Sequence, residues 1–198
     1  MTPELPFSQA CENNKDPILS VIQPFFSSAD KVLEIGSGTG QHAVYFAENM
    51  PKMNWQPSDQ TAYLAGVRAR VEQADLKNLL PPLELNVRDE WPIGEVSGMF
   101  TANTMHIMSW DEVVLFFEGV GQHLKRGGVL CIYGPFNYFG TFSSESNAAF
   151  DVHLKGQDPK MGIRDFEEIV ALANRLGLIF VSDSPMPANN RILTFTRR

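Results

Sequence analysis

The stretch Val32–Ala43, VLEIGSGTGQHA, constrains this chain more than any other. Val32, Leu33 and Ile35 make a short apolar run of the kind that forms a strand buried on both faces of a parallel sheet. Glycines alternate after it at 36, 38 and 40, and helix-forming or apolar residues follow at Ala43, Val44, Phe46, Ala47 and Glu48. This spacing predicts strand, glycine turn, helix. Glycine is needed where the backbone turns with positive φ, or where a ligand must touch the main chain. A dinucleotide fingerprint reads G-x-G-x-x-G. Gln41 occupies the place of its third glycine, so the pattern is instead Glu34-x-Gly36-x-Gly38-x-Gly40.

Downstream, Asn54–Asp59 predicts a second strand that ends in a carboxylate. An adenosine-binding α/β fold presents an acid about 20 residues after its loop, to accept hydrogen bonds from ribose hydroxyls. Asp59 also suits the cap of a helix beginning near Thr61. Leu83–Val87 alternates between Pro81-Pro82 and Trp91-Pro92 and predicts a third strand, with Asn86 and Asp89 at its end as ligand contacts or turn residues. A fourth strand, Gly98–Ala102, runs into Asn103–Met108, and Ser109 with Glu112 forms a capping box. The helix that follows is expected to end at Arg126-Gly127-Gly128, before a fifth strand at Val129–Tyr133. Asp16-Pro17 predicts the start of a helix carrying Ile18, Leu19, Val21 and Ile22. Asp165 to Leu176 predicts another, N-capped by Asp165, and Leu178–Ser182 and Ile192–Thr196 complete seven strands. The reading is an α/β, single-domain Rossmann-like fold over residues 1–198, with a mostly parallel seven-stranded sheet and helices on both faces. Residues 1–30 form an N-terminal cap segment, and residues 133–165 an insertion on the substrate side.

Composition bounds the rest. The chain has 198 residues, enough for one full α/β core. It has no apolar run long enough for a bilayer, and Met1–Pro6 lacks the basic and apolar regions of a signal peptide. Cys11 and Cys131 are its only cysteines, and Cys131 falls in a central strand; a disulfide framework is not expected and the setting reads as reducing cytoplasm. The formal net charge of −7, without clustered Lys and Arg, speaks against a nucleic-acid partner. No Asp/Glu/His cluster has metal-ligand spacing, so no metal is expected.

The acid-strand-glycine pattern resembles motif I of the class I S-adenosylmethionine (SAM) methyltransferases, and the Leu124-Lys125-Arg126-Gly127-Gly128 segment is similar to one in that family too. The resemblance implies that Gly36, Ser37, Gly38 and Gly40 lie under the methionine and ribose of SAM, and that Glu34 helps to hold the methionine amine. It also implies that Asp59 and Gln60 contact the ribose, Asn86 and Val87 the adenine, and Asn103 the methionine end. Longer runs narrow the likeness: Glu12–Leu19, GSGTGQHA, Trp55–Asp59, Ala102-Asn103 with His106, Tyr133–Asn137, Ser144–Asn147 and Met186–Asn190. Together they resemble the methyltransferase-like protein 26 family over nearly the whole chain. Asn13 departs from that family's Glu-Arg-Asn run, which bears on an N-terminal contact to substrate or cofactor.

Ligands of open α/β sheets bind outside the carboxyl ends of the strands, so acceptor chemistry is sought after the fourth and fifth strands. The catalytic candidates are His106 and Asn103, with His106 as proton acceptor, substrate contact or structural residue. His42 reads as a packing or hydrogen-bonding residue and His123 as a helix-end residue. Tyr133, Phe136, Asn137, Tyr138, Glu145, Asn147 and Asp151 belong to a polar and aromatic stretch placed as a substrate wall for a small molecule. Arg164 is suited to bind a carboxylate or to pair locally, and Pro187–Asn190 is suited to close one side. An NAD(P)-dependent oxidoreductase shares the opening βαβ unit but is disfavoured by Gln41 and by the lack of a Tyr-x-x-x-Lys site. A non-catalytic SAM-binding module would need neither His106 nor the 133–151 wall.

Overall fold

The structure, a computed structural model, describes residues 5–198; Met1–Glu4, part of the expected cap segment, lie outside it. The first helix, α1 (Gln9–Phe26), turns Ile18, Ile22 and Phe26 inward at helical spacing. It starts well before the Asp16-Pro17 start read from the sequence. Ser8 is the cap, accepting from the Cys11 N–H, and Pro17 and Pro24 lie inside the helix. Long-range bonds hold this early turn: the Gln41 amide receives the Ser8 N–H at 2.7 Å and donates to Glu12 at 2.5 Å. Asp16, freed from capping, accepts from the Tyr45 hydroxyl.

Strand β1 (Lys31–Ile35) leads through the glycine turn into α2 (Gln41–Asn49), then β2 (Asn54–Asp59) and α3 (Thr61–Ala74). The third strand is short, β3 (Leu83–Glu84), and Asn86 and Val87 fall in the turn after it. Next come β4 (Val96–Ala102), α4 (Trp110–His123) and β5 (Leu124–Gly134). The capping box of Ser109 and Glu112 is formed as expected. The paired glycines do not end α4. They sit in β5, where the register against β4 jumps between Val96 and Gly98, Gly127 takes φ +74°, and a Cβ on Gly128 would lie 2.8 Å from the Lys125 carbonyl oxygen. The chain continues with β6 (Phe136–Asn137), α5 (Glu145–Gln157), β7 (Arg164–Asp165), α6 (Phe166–Arg175), β8 (Leu178–Met186) and β9 (Asn190–Arg197). The 143–151 wall is therefore mostly helix, and Asp165 precedes α6 without a capping side-chain bond.

The sheet runs β3-β2-β1-β4-β5-β9-β8, parallel except for β9, which is antiparallel to both neighbours. Alternate residues of each strand enter opposite cores. Leu33, Met99, Leu130 and Leu193 pack under α4 and α6; Val32, Phe100, Cys131 and Ile192 pack under α1, α2 and α3. This is a Rossmann-like methyltransferase fold. Chain order reverses between β1 and β4, which opens a crevice at their carboxyl ends.

One contact under α4 tests this packing. The buried Trp91 ring stacks on His123 with centroids 5.5 Å apart, and a Cβ on Gly119 would meet it at 2.2 Å. Alanine gains up to about 1 kcal/mol of helix propensity over glycine, whereas overpacking costs about 1–3 kcal/mol. Gly119→Ala is therefore expected to destabilise, and Gly156→Ala in α5, where a Cβ meets nothing within 4 Å, to be neutral or stabilising. Urea denaturation of the two variants checks the opposite signs.

Candidate active site

The glycine turn is built by main-chain bonds. Gly36, Gly38 and Gly40 all have positive φ, at 75°, 57° and 75°, which explains the alternation. The N–H groups of Gly36 and Ser37 both donate to the Ser58 carbonyl at 3.0 Å, tying the turn to the end of β2. One residue on, the Gly38 N–H donates to Asp59 Oδ2 at 2.6 Å, while Oδ1 accepts from the Gln60 N–H at 2.7 Å. Burial pushes the Asp59 pKa up, and these two backbone bonds oppose it. Helix α3 has Gln60 as its cap with no side-chain bond, so Asp59 is a fixed carboxylate at the turn rather than a helix cap.

A cleft of about 330 Å³ opens between the carboxyl ends of β1, β2 and β4. Of the residues expected to hold a cofactor, Gly36, Gly38, Asp59, Gln60, Val87 and Asn103 line it. Leu85, Ile107 and Met108 add apolar walls, and with Thr104 and Tyr63 they were missed by sequence reading, which sought polar contacts. Glu34, Ser37, Gly40 and Asn86 stand apart from its walls. Glu34 is buried and accepts from Trp55 Nε1 at 3.0 Å and Ser37 Oγ at 2.9 Å, so it is a brace beneath the turn and does not face the cleft. Ser37 Oγ in turn receives the Ser58 N–H. Gly40 caps α2 against Arg70, and Asn86 accepts the Arg88 N–H as a turn residue does.

A second cleft of about 570 Å³ adjoins the first, and Asn103 lines both. Asn103 sits at φ +59°, a left-handed conformation uncommon outside glycine and most accessible to residues such as Asn, with its N–H on the Tyr133 carbonyl at 2.9 Å. His106, Tyr133 and Asn147 line this second cleft, as does the Pro187–Asn190 turn through Pro187, Ala188 and Asn190. The imidazole of His106 is edge-on to Phe150 at 5.2 Å. Burial, then the Arg164 charge, lowers its pKa from 6.5 to about 4, so the ring is neutral at pH 7.

The other expected wall residues serve the scaffold. Phe136 is fully buried in the core, and Asn137 donates to the Ile163 carbonyl. The Tyr138 hydroxyl donates to Asp183 at 2.7 Å, and Glu145 is exposed. Asp151 accepts from Lys155 at 2.6 Å and from the Ile163 N–H at 2.8 Å. Arg164 donates to the carbonyls of Met105, Met108 and Lys160. Tyr138, Asp151 and Arg164 thus spend their polar groups on the scaffold, while Asn137 Oδ1 is buried without a partner. In their place α1 supplies Asn13 and Asn14, and α5 supplies Ser146 and Phe150. His42 bonds Asn14 Oδ1 at 2.7 Å and stacks on Phe46, a structural role as expected. Among the described residues no group of three or more His, Cys, Asp or Glu side chains could hold a metal ion, and no helix is long and apolar enough to cross a membrane.

The profile of one family matches residues 5–197. The chain belongs to the DUF938 family. That family is described as a protein of unknown function, so membership assigns no chemistry. Solved structures resemble this DUF938 chain in fold. An O-methyltransferase family protein from Burkholderia thailandensis superposes with a TM-score of 0.81 at 17% identity, over 92% of this chain and 56% of its own. An O-methyltransferase family 2 protein from Planctomyces limnophilus, in complex with apigenin, gives 0.83 at 16% over 96% and 58%. NcsB1, an O-methyltransferase from neocarzinostatin biosynthesis in complex with SAM and 2-hydroxy-5-methyl naphthoic acid, gives 0.80 at 14% over 96% and 55%. The DUF938 chain spans little more than half the length of these proteins.

Glu34 makes the base of the glycine turn sensitive to pH. Burial raises its pKa from 4.5 to about 7. Its neutral form is the one the fold favours, so its stabilising contribution is complete below pH 4.5 and is lost as pH rises through about 7. Glu34→Gln, which stays neutral, is expected to gain on the wild type from pH 5 to pH 8 in urea denaturation. An equal difference at both pH values would contradict the burial of this carboxyl.

Proposed function

We propose that this chain is a SAM-dependent methyltransferase acting on a small-molecule acceptor. The observation that carries this reading is the junction at Asn103, which joins a cleft floored by Asp59 and the glycine turn to a cleft containing a neutral imidazole. The residues of the first cleft fit the cofactor. Asp59 keeps lone pairs for a vicinal diol after its two main-chain bonds. Leu85, Val87, Ile107 and Met108 offer apolar surface to a purine, and a Cβ on Gly38 would meet open space, so the turn is bare where a ligand would pass. When bound, SAM supplies an electrophilic methyl on a sulfonium. The chain orients the acceptor across Asn103, excludes water beneath α1 and α5, and holds the neutral His106 ring ready to take a proton.

Kinship with the methyltransferase-like protein 26 family belongs to this proposal. Its support is that the motifs carrying the resemblance converge: Asn14, Asn103, Tyr133, Asn147 and Asn190 come from five of those runs and share one cleft. We further infer that residues 1–30 act as a cap and residues 133–165 as the acceptor-side segment, in a cytoplasmic enzyme. The fold neighbour that holds apigenin supports a small aromatic acceptor.

Calorimetry of variants tests the first cleft. Hydrogen bonds to a charged group contribute about 1.5–3 kcal/mol, so Asp59→Ala is expected to weaken SAM by about 10- to 100-fold, and Gly38→Ala to weaken it by narrowing the cleft. Normal SAM binding by both variants would refute the assignment. His106→Ala is expected to keep SAM affinity and to lose about 10²- to 10⁴-fold in turnover. Because the base must be neutral, the acid limb of the wild-type rate should fall near pH 4 and not near 6.5. Rates measured across that range decide between a catalytic and a structural His106.

A further inference from the structure

The second cleft is built without formal charge. Among the described residues that line it there is no Asp, Glu, Lys or Arg. Of the charged residues next in sequence to lining residues, Glu12 pairs with Lys15, Asp151 with Lys155 and Arg191 with Asp183, while Glu145, beside Ser146, is exposed and not among the lining residues. What faces the space is amide. Asn13 uses Oδ1 for the Gln9 side chain, which leaves its amide nitrogen. Asn147 uses its nitrogen on Ser143 Oγ at 2.9 Å and the Asn189 carbonyl at 3.3 Å, which leaves its oxygen. Asn190 likewise spends its nitrogen on the carbonyls of Pro187 and Ala188. The cleft therefore offers both donors and acceptors, with Phe150 and Tyr133 as apolar surface.

A carboxylate or ammonium entering here would lose its hydration and find no counter-charge on the walls of the cleft, which is costly. A neutral hydroxyl compound would exchange water for amide hydrogen bonds, each favourable or near neutral. We propose that the acceptor is an electrically neutral compound whose reacting group is a hydroxyl, held by the amides of Asn13, Asn147 and Asn190 rather than by an ion pair. This rests on the methyltransferase reading of the same site. The hydroxyl proton passes to a nitrogen of the His106 ring as the oxygen–methyl bond forms and the sulfur–methyl bond of the sulfonium donor breaks. The products are a methyl ether and a neutral thioether, and the positive charge leaves sulfur for the imidazolium, which burial and the Arg164 charge disfavour and which therefore gives its proton up to solvent.

Saturation-transfer NMR on the full chain, with and without S-adenosylhomocysteine, tests the inference. The probes are size-matched aromatic alcohols and phenols, benzoates, and benzylammonium compounds at neutral pH. Two variants fill the cleft from opposite walls, Ala10→Trp on α1 and Ser146→Trp on α5; either one suffices if the other does not fold. Hydroxyl probes are expected to give signals that are lost in these variants, and the ionic probes to give none that are. Variant-sensitive signals from the ionic probes, or none from the hydroxyl probes, would overturn the inference. Failure of S-adenosylhomocysteine itself to bind counts against the proposed function instead, and calorimetry registers it separately.

Discussion

The carboxylate of Asp59 accepts the Gly38 N–H at 2.6 Å, and most of the site's geometry depends on that bond. It joins the end of β2 to the middle of the glycine turn, and the Ser58 carbonyl reinforces it by receiving two further N–H groups from Gly36 and Ser37. Ordering a turn with three positive-φ glycines costs much conformational entropy, which these bonds offset. Beneath it, Glu34 is buried between Trp55 and Ser37, a second acid used as a brace. These bonds fix the turn close against the segment after β4, where a Cβ on Gly36 would press on Thr104 at 2.7 Å.

Strand order places that turn at the point where chain direction across the sheet reverses. Asn103, ending β4 with positive φ, then stands beside it and divides the crevice into two clefts. The second cleft is closed by elements remote in sequence: α1, α5 and the turn between β8 and β9. Helix α1 reaches it because Gln41, in the first turn of α2, binds Ser8 and Glu12. Arg70 adds a bond to the Thr39 carbonyl at 2.7 Å and one to Pro6, so the segment before α1 is strapped to the same turn.

The fold was legible because parallel strands buried on both faces are near-continuous apolar runs, and VLEI with its glycines left little choice of architecture. Boundaries were less so. Pro17 reads as a helix start by local rules, but the side-chain bonds from Gln41 carry α1 two turns further back. Gly127-Gly128 reads as a helix stop, yet the close approach of the Lys125 and Ser97 carbonyls shows glycines required by a bulge. The positions of Asp59, Asn103 and His106 on the cleft walls were readable because strand ends are fixed points of the fold. Asp151 and Tyr138 bond scaffold partners instead of facing a cleft, and Arg164 follows the pairing alternative, because carbonyls and residues distant in sequence leave no local signal. The amides of α1 were invisible as a group, because nothing local in Asn13-Asn14 says that α1 lies over β5.

Isothermal titration of the wild-type chain with SAM, S-adenosylhomocysteine and NAD⁺, each in turn, tests the central claim most directly. The glycine spacing, with Gln41 in place of a third fingerprint glycine, predicts saturable one-to-one binding of the first two and none of NAD⁺. Binding of NAD⁺ alone would contradict the reading of the glycine turn, and with it the assignment of both clefts.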